Sequence, residues 1–123
     1  MVYAGVVLFN KNKILLQLRD NNPKISNPDM WGIFGGGVEK GETPEQAAIR
    51  ELREELELRI EKLEPVLQTE FNHEKIYIFK QEIKNISNLK LNEGRNMKFF
   101  SKEEILNLKN VVPGLNKMIK NFL

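Results

Sequence analysis

The chain switches between two hydrophobic periods, and each switch marks an element. Val2 to Phe9 is a run of β-branched and apolar residues that predicts a buried strand. Asn10 to Lys13 is a polar turn, and Ile14 to Arg19 predicts a returning strand paired with the first in a hairpin. In that second strand Leu16 and Leu18 face one way, Gln17 and Arg19 the other. Asp20 to Met30, with Asn21, Asn22, Pro23, Asn27 and Pro28, is a loop by composition. Trp31 to Phe34 predicts a short strand that delivers Trp31 to the core and the chain to three glycines.

After the glycines the period becomes helical. Thr43, Pro44 and Gln46 fit an N-cap, a first helical position and the partner of a capping box, so a helix is predicted to begin at Pro44. Ala48, Ile49, Leu52 and Leu56 form its apolar face, with Ala47, Arg50, Glu51, Glu54 and Glu55 on the flank beside it. Leu63 to Phe71 and Lys75 to Ile83 predict two strands around Asn72, His73 and Glu74, and Met97 to Phe100 a further short one. His73, the only histidine, sits at that turn and receives no role. Ser101 and Glu104 make a second capping box. Pro113 opens a last helix carrying Leu115, Met118, Ile119 and Phe122 at amphipathic spacing.

Composition narrows the chemistry. With 123 residues the chain is read as a single domain, 1–123, able to bury a real core. It has no cysteine, which excludes disulfides, thiolate metal sites and a cysteine nucleophile and leaves oxygen as the main metal donor. The formal charge of +2 is too small to imply a nucleic-acid partner. No run of apolar residues is long enough for a membrane span and no signal-peptide pattern opens the chain, so the expected location is cytoplasmic.

The candidate chemistry lies on the glycine-to-helix segment. Glu51 precedes Glu54 by three residues and Glu55 by four, so three carboxylates crowd two helical turns, at a cost of about 0.2–0.5 kcal/mol per like-charged pair. A divalent cation with oxygen ligands, such as Mg²⁺, would turn that repulsion into binding. A solvated surface is the alternative, with Arg50 paired to Glu54 and Arg53 to Glu57 at helical spacing. Gly35, Gly36, Gly37 and Gly41 would bring backbone amides and carbonyls close to the acidic side, within reach of a metal or phosphate. Arg19 can reach a phosphate or lie in solvent.

Segment 36–58 resembles the signature box of the Nudix hydrolases: Gly36, Glu42, Arg50, Glu51, Leu52, Glu54, Glu55 and Leu58 stand at its fixed positions. Glu57 departs from it, standing where the family usually has a glycine that ends the helix in a left-handed conformation. The resemblance implies an α/β (α+β) fold, an α/β/α sandwich with a mixed β-sheet between helices. It implies that Glu51, Glu54 and Glu55, with the Gly35 carbonyl, hold Mg²⁺ (Mn²⁺ can substitute), and that Glu42 and Arg50 pair to fix the loop against the helix. Glu93 resembles a family acid outside the box that approaches the metal or acts as base, and Arg19 lies where relatives bind substrate. The implied reaction is metal-dependent hydrolysis of the diphosphate linkage in a nucleoside diphosphate derivative, giving a nucleoside monophosphate and a phosphorylated product. The alternative is a non-catalytic, nucleotide-binding regulatory module. Many relatives are homodimers, but nothing in this sequence marks an interface.

Overall fold

The computed structural model describes residues 1–120. The site is positioned by a hairpin that opens. Strands β1 (Val2–Asn10) and β2 (Lys13–Leu18) pair only near their turn, from Leu8 opposite Leu15 to Asn10 opposite Lys13. Beyond that point they part, and residues 31–37 fill the wedge. β3 (Trp31–Gly32) pairs with β2 at Gln17 and Leu18, while β4 (Phe34–Gly37) runs antiparallel to β1 from Val6 back to Tyr3. The three glycines are therefore strand, where the hydrophobic pattern had predicted that the strand ends at Phe34. Sheet pairing with β1 overrides their low strand propensity.

The other edge of β1 pairs in parallel with β6 (Glu74–Glu82), which carries β5 (Glu64–Phe71) outside it in a hairpin. Asn72 and His73 make that turn, both at positive φ. β7 (Asn96–Ser101) lies antiparallel along the free edge of β2 and completes a seven-stranded mixed sheet.

Alternation along β1 and β2 feeds two cores. Ala4, Val6, Leu8, Leu15 and Phe34 face helix α1 (Pro44–Leu56) and bury against Ala47, Ala48, Leu52 and Leu56. Val7, Ile14 and Leu16 face the opposite side, against Ile105 of α2 (Lys102–Asn107) and Leu115 and Ile119 of α3 (Leu115–Lys120). This is the expected α/β/α sandwich. Trp31 packs on the second core edge-to-face with Phe100, ring centroids 4.8 Å apart, although it is only partly buried. The last helix starts at Leu115, two residues after Pro113, because Gly114 turns at φ 90 first. Phe122 lies outside the described residues.

Both capping boxes form. Thr43 accepts from the Gln46 amide and its own amide donates to the Gln46 side chain, and Ser101 and Glu104 do the same for α2. At its other end α1 leaves through Glu57 in the left-handed region, φ 54 and ψ 32, the geometry that the family glycine would supply. A residue with a Cβ takes up that conformation at about 1–2 kcal/mol. The last turn is also covered from outside. Lys90 N–H donates to the Leu56 carbonyl at 3.1 Å and Asn92 N–H to that of Glu55 at 2.8 Å, so the loop before β7 partners carbonyls that a helix end leaves open.

Candidate active site

Arg50 is the hub of the site. Its Nε and one terminal nitrogen donate to the two oxygens of Glu42 at 2.7 and 3.1 Å, a forked pair between the loop and the helix. The other terminal nitrogen donates to Glu51 at 2.9 Å and to both oxygens of Glu54 at 3.2 and 3.4 Å, and the nitrogen in the fork also donates to the Gly37 carbonyl at 3.1 Å. These bonds hold the Glu42 carboxyl below the usual carboxylate range, with the Glu39 amide adding to the effect, and push the guanidinium further into its charged form. The Glu42–Arg50 pair expected from the resemblance is present, as is Arg50–Glu54. Arg53 has no ion pair with Glu57 among the described residues; the Glu57 carboxylate accepts from Asn92.

Glu55 does not lie on the open acidic flank where the sequence reading put it. It is 1% exposed, between α1 and the sheet. Helical spacing explains this, since Ala48, Leu52 and Glu55 are four and then three residues apart and share one face. Two donors meet its carboxyl, Gln17 Nε2 at 2.9 Å and the Gly35 amide at 3.2 Å. Burial, followed by hydrogen-bonding contact with the Glu51 carboxyl and the charges of Glu51 and Glu93, pushes the Glu55 carboxyl up to about 9, against the Gln17 bond.

The glycines let backbone and acids meet. A Cβ on Gly36 would stand 2.4 Å from Glu51 Oε1, and one on Gly35 would stand 2.3 Å from the Ala4 carbonyl, at a φ of +151 that favours glycine. Glu51 thus lies directly over the glycine strand.

Two residues from outside the box complete the constellation. The Glu93 carboxyl is raised by burial and by the charges of Glu51 and Glu54, with Arg19 opposing. Arg19 bonds the Ser26 carbonyl through Nε at 2.9 Å, and its charge is felt at Glu93 and at Tyr3. Structure adds Gln17 and Tyr3 to the sequence-derived set. Tyr3 is raised by burial and then by Glu55, and a Cβ on Gly35 would come within 2.9 Å of its hydroxyl. For Gln17 a signal existed, a lone amide in an apolar strand, but its partner is 38 residues away.

A sequence model of the NUDIX domain matches residues 1–122. The chain belongs to the NUDIX family. It is 44% identical over 69 residues to an RNA pyrophosphohydrolase of Roseobacter denitrificans, a match spanning 54% of this NUDIX chain and 40% of the relative. It is 42% identical over 50 residues to the dihydroneopterin triphosphate diphosphatase of Escherichia coli, 41% of this chain and 29% of that one. The matched stretches thus span well under half of these relatives' length. A MutT NUDIX hydrolase from Burkholderia pseudomallei has the same fold, with a TM-score of 0.80 at 18% identity over 99% of this chain and 97% of the other.

NUDIX hydrolases require a divalent metal, and the donors here suit one. All are oxygens, with Glu51 lying over the glycine strand and Glu55 buried beside it against the Gly35 amide. Their convergence is incomplete: among the described residues no group of three acids is gathered closely enough to hold an ion. One Arg50 nitrogen donates to an oxygen of Glu51 and to Glu54, and among the described residues the second oxygen of Glu51 has no bond to Arg50. No helix among the described residues is long and apolar enough to cross a membrane.

Proposed function

We propose that this NUDIX domain hydrolyses the diphosphate linkage of a nucleoside diphosphate derivative, releasing a nucleoside monophosphate and a phosphorylated remainder, with Mg²⁺ as its ion and Mn²⁺ as a substitute. The observation that carries the reading is the placement of Glu51 directly over the glycine strand, with Glu55 buried beside it on Gln17 and the Gly35 amide. Burying the Glu55 carboxyl beside Glu51 and a backbone cradle is costly unless a proton or a cation joins them. The names of the two relatives point the same way, since both describe cleavage of phosphoanhydrides.

Glu51, Glu54 and Glu55, with the Gly35 carbonyl, would hold the ion. When bound, it neutralises the diphosphate oxygens and acidifies the attacking water. Each side chain then has a task that follows from its surroundings. Arg50, fixed by Glu42, keeps the loop and helix in register. Gln17 and the Gly35 amide orient Glu55. Glu54 pairs with Arg50 but keeps 47% of its side chain exposed, which leaves it open to water as the proton acceptor, and Glu93 bears on the same space. Arg19 offers a cation for the leaving phosphate.

The test is a panel of nucleoside triphosphates, nucleotide sugars, ADP-ribose, dinucleoside polyphosphates and a 5′-triphosphorylated RNA oligonucleotide with Mg²⁺, followed by ³¹P NMR in ¹⁸O water. The expected result is cleavage of a small substrate with ¹⁸O in one product. Preference for the oligonucleotide would overturn the small-molecule assignment. Binding without turnover would favour the regulatory module. Glu54→Gln should lower kcat by about 100-fold or more, the scale of a lost proton acceptor, with melting unchanged.

A further inference from the structure

We propose that Asn92 is a positioning residue that latches the loop before β7 onto the C-terminal end of α1 and so holds Glu93 against the acidic flank. The inference rests on the hydrolase reading and adds a residue outside the box to it. Asn92 makes three bonds to α1 and its exit. Its amide N–H donates to the Glu55 carbonyl at 2.8 Å, and its side-chain Nδ2 donates to the Glu54 carbonyl at 3.1 Å and to Glu57 Oε2 at 3.1 Å. Two of the three run to the backbone of Glu54 and Glu55 themselves.

The far side of Glu93 is fastened as well. Gly94 turns at φ +87, where a Cβ would stand 2.9 Å from the Leu18 carbonyl and 3.0 Å from Gln17 Oε1. Arg95 N–H then donates to the same Leu18 carbonyl at 2.8 Å, and its guanidinium pairs with Asp29. Glu93 and Gly94 are the two residues between an anchor on α1 at Asn92 and an anchor on β2 at Arg95, so the backbone of Glu93 is restrained from both sides. Gln17 belongs to both arrangements, since it supports Glu55 and abuts Gly94.

The latch also gives the departure at Glu57 a purpose. A glycine there would supply the left-handed turn but no acceptor, whereas Glu57 supplies both the turn and an oxygen for Asn92. An ordinary loop cap would stabilise α1 and leave turnover alone. A latch must affect turnover through Glu93.

The decisive variant is Asn92→Asp, which keeps the shape and turns a donor into an acceptor facing two oxygens. Asn92→Ala removes the donor without adding charge and serves if the first variant folds poorly. On the best substrate of the panel, either change should lower kcat about ten-fold, the scale of a misplaced catalytic group, with KM within about two-fold. In a Glu93→Gln background the same changes should alter kcat by less than about two-fold, because the group being positioned is gone. Pairing Asn92→Asp with Glu57→Gln puts an amide donor opposite the new carboxylate and should recover several-fold in kcat. An undiminished effect in the Glu93→Gln background, or wild-type kcat in both Asn92 variants, would overturn the proposal. Hydrogen exchange tests the latch without substrate: amides 92 and 95, which donate to the Glu55 and Leu18 carbonyls, should lose protection in Asn92→Ala while amides 47–52 keep theirs, and unaltered protection at both would sink it. Were the wild-type chain inert on the whole panel, the hydrolase reading would fall alone and exchange would still decide the latch.

Discussion

At the scale of single residues, the site depends on where hydrogen-bond donors and small side chains stand. Gly36 has room for nothing because Glu51 occupies the space a Cβ would need, yet the obstruction is the end of a flexible side chain. Gly36→Ala should therefore change the unfolding free energy by less than about 1 kcal/mol while lowering turnover about 100-fold, read from urea melts and kcat together. Glu55 gives a pH signature. Its carboxyl is raised from 4.5 to about 9 in the fold, so between those values the folded state binds more protons than the unfolded one and stability falls as pH rises. Glu93 is raised too and adds the same sign. Glu42, lowered by Arg50, acts in the opposite sense, with stability lost only as pH drops through its own acidic range. In the absence of metal the melting temperature should decline from about pH 5 to about pH 9, and Glu55→Gln should flatten that decline. A Glu55→Gln profile as steep as the wild type would show that another group is responsible.

At the scale of elements, α1 is the piece whose two ends matter most. Its start was legible in the sequence, since Thr43, Pro44 and Gln46 are all local signals, and both bonds of the box are formed. Thr43→Ala should cost about 1 kcal/mol in chemical denaturation. The resemblance implied where it ends, at a left-handed Glu57, but not what holds that end. Glu57 breaks the family pattern, and nothing near it in sequence shows that Asn92, 35 residues later, reaches back to its carboxylate. The glycines taught a related lesson. Read locally, three in a row are a flexible link, yet they form strand β4 because Tyr3 to Val6 lie alongside with every pairing position open.

At the scale of the whole molecule, the sandwich is a frame that keeps a helix flank, an opened hairpin and a return loop at fixed separations. Leu52 sits fully buried between α1 and the sheet, one residue from Glu51. Leu52→Ala should destabilise the fold by about 2–5 kcal/mol, measured by thermal or urea unfolding, because a core this tightly shared cannot fully collapse around the gap. The order of periods along the chain determined most of the strands and the main helix with its acidic flank, which depend on neighbours within a turn or a hairpin, while the layered sandwich was implied by the resemblance. The resemblance implied that Arg50 pairs with Glu42 and that Glu93 approaches the acids, whereas tertiary structure alone decided that Glu55 is buried on Gln17 and that Asn92 reaches back to Glu57. Those contacts join segments far apart in the chain, and a side chain's protonation and aim follow from the groups that folding brings around it rather than from its neighbours in sequence.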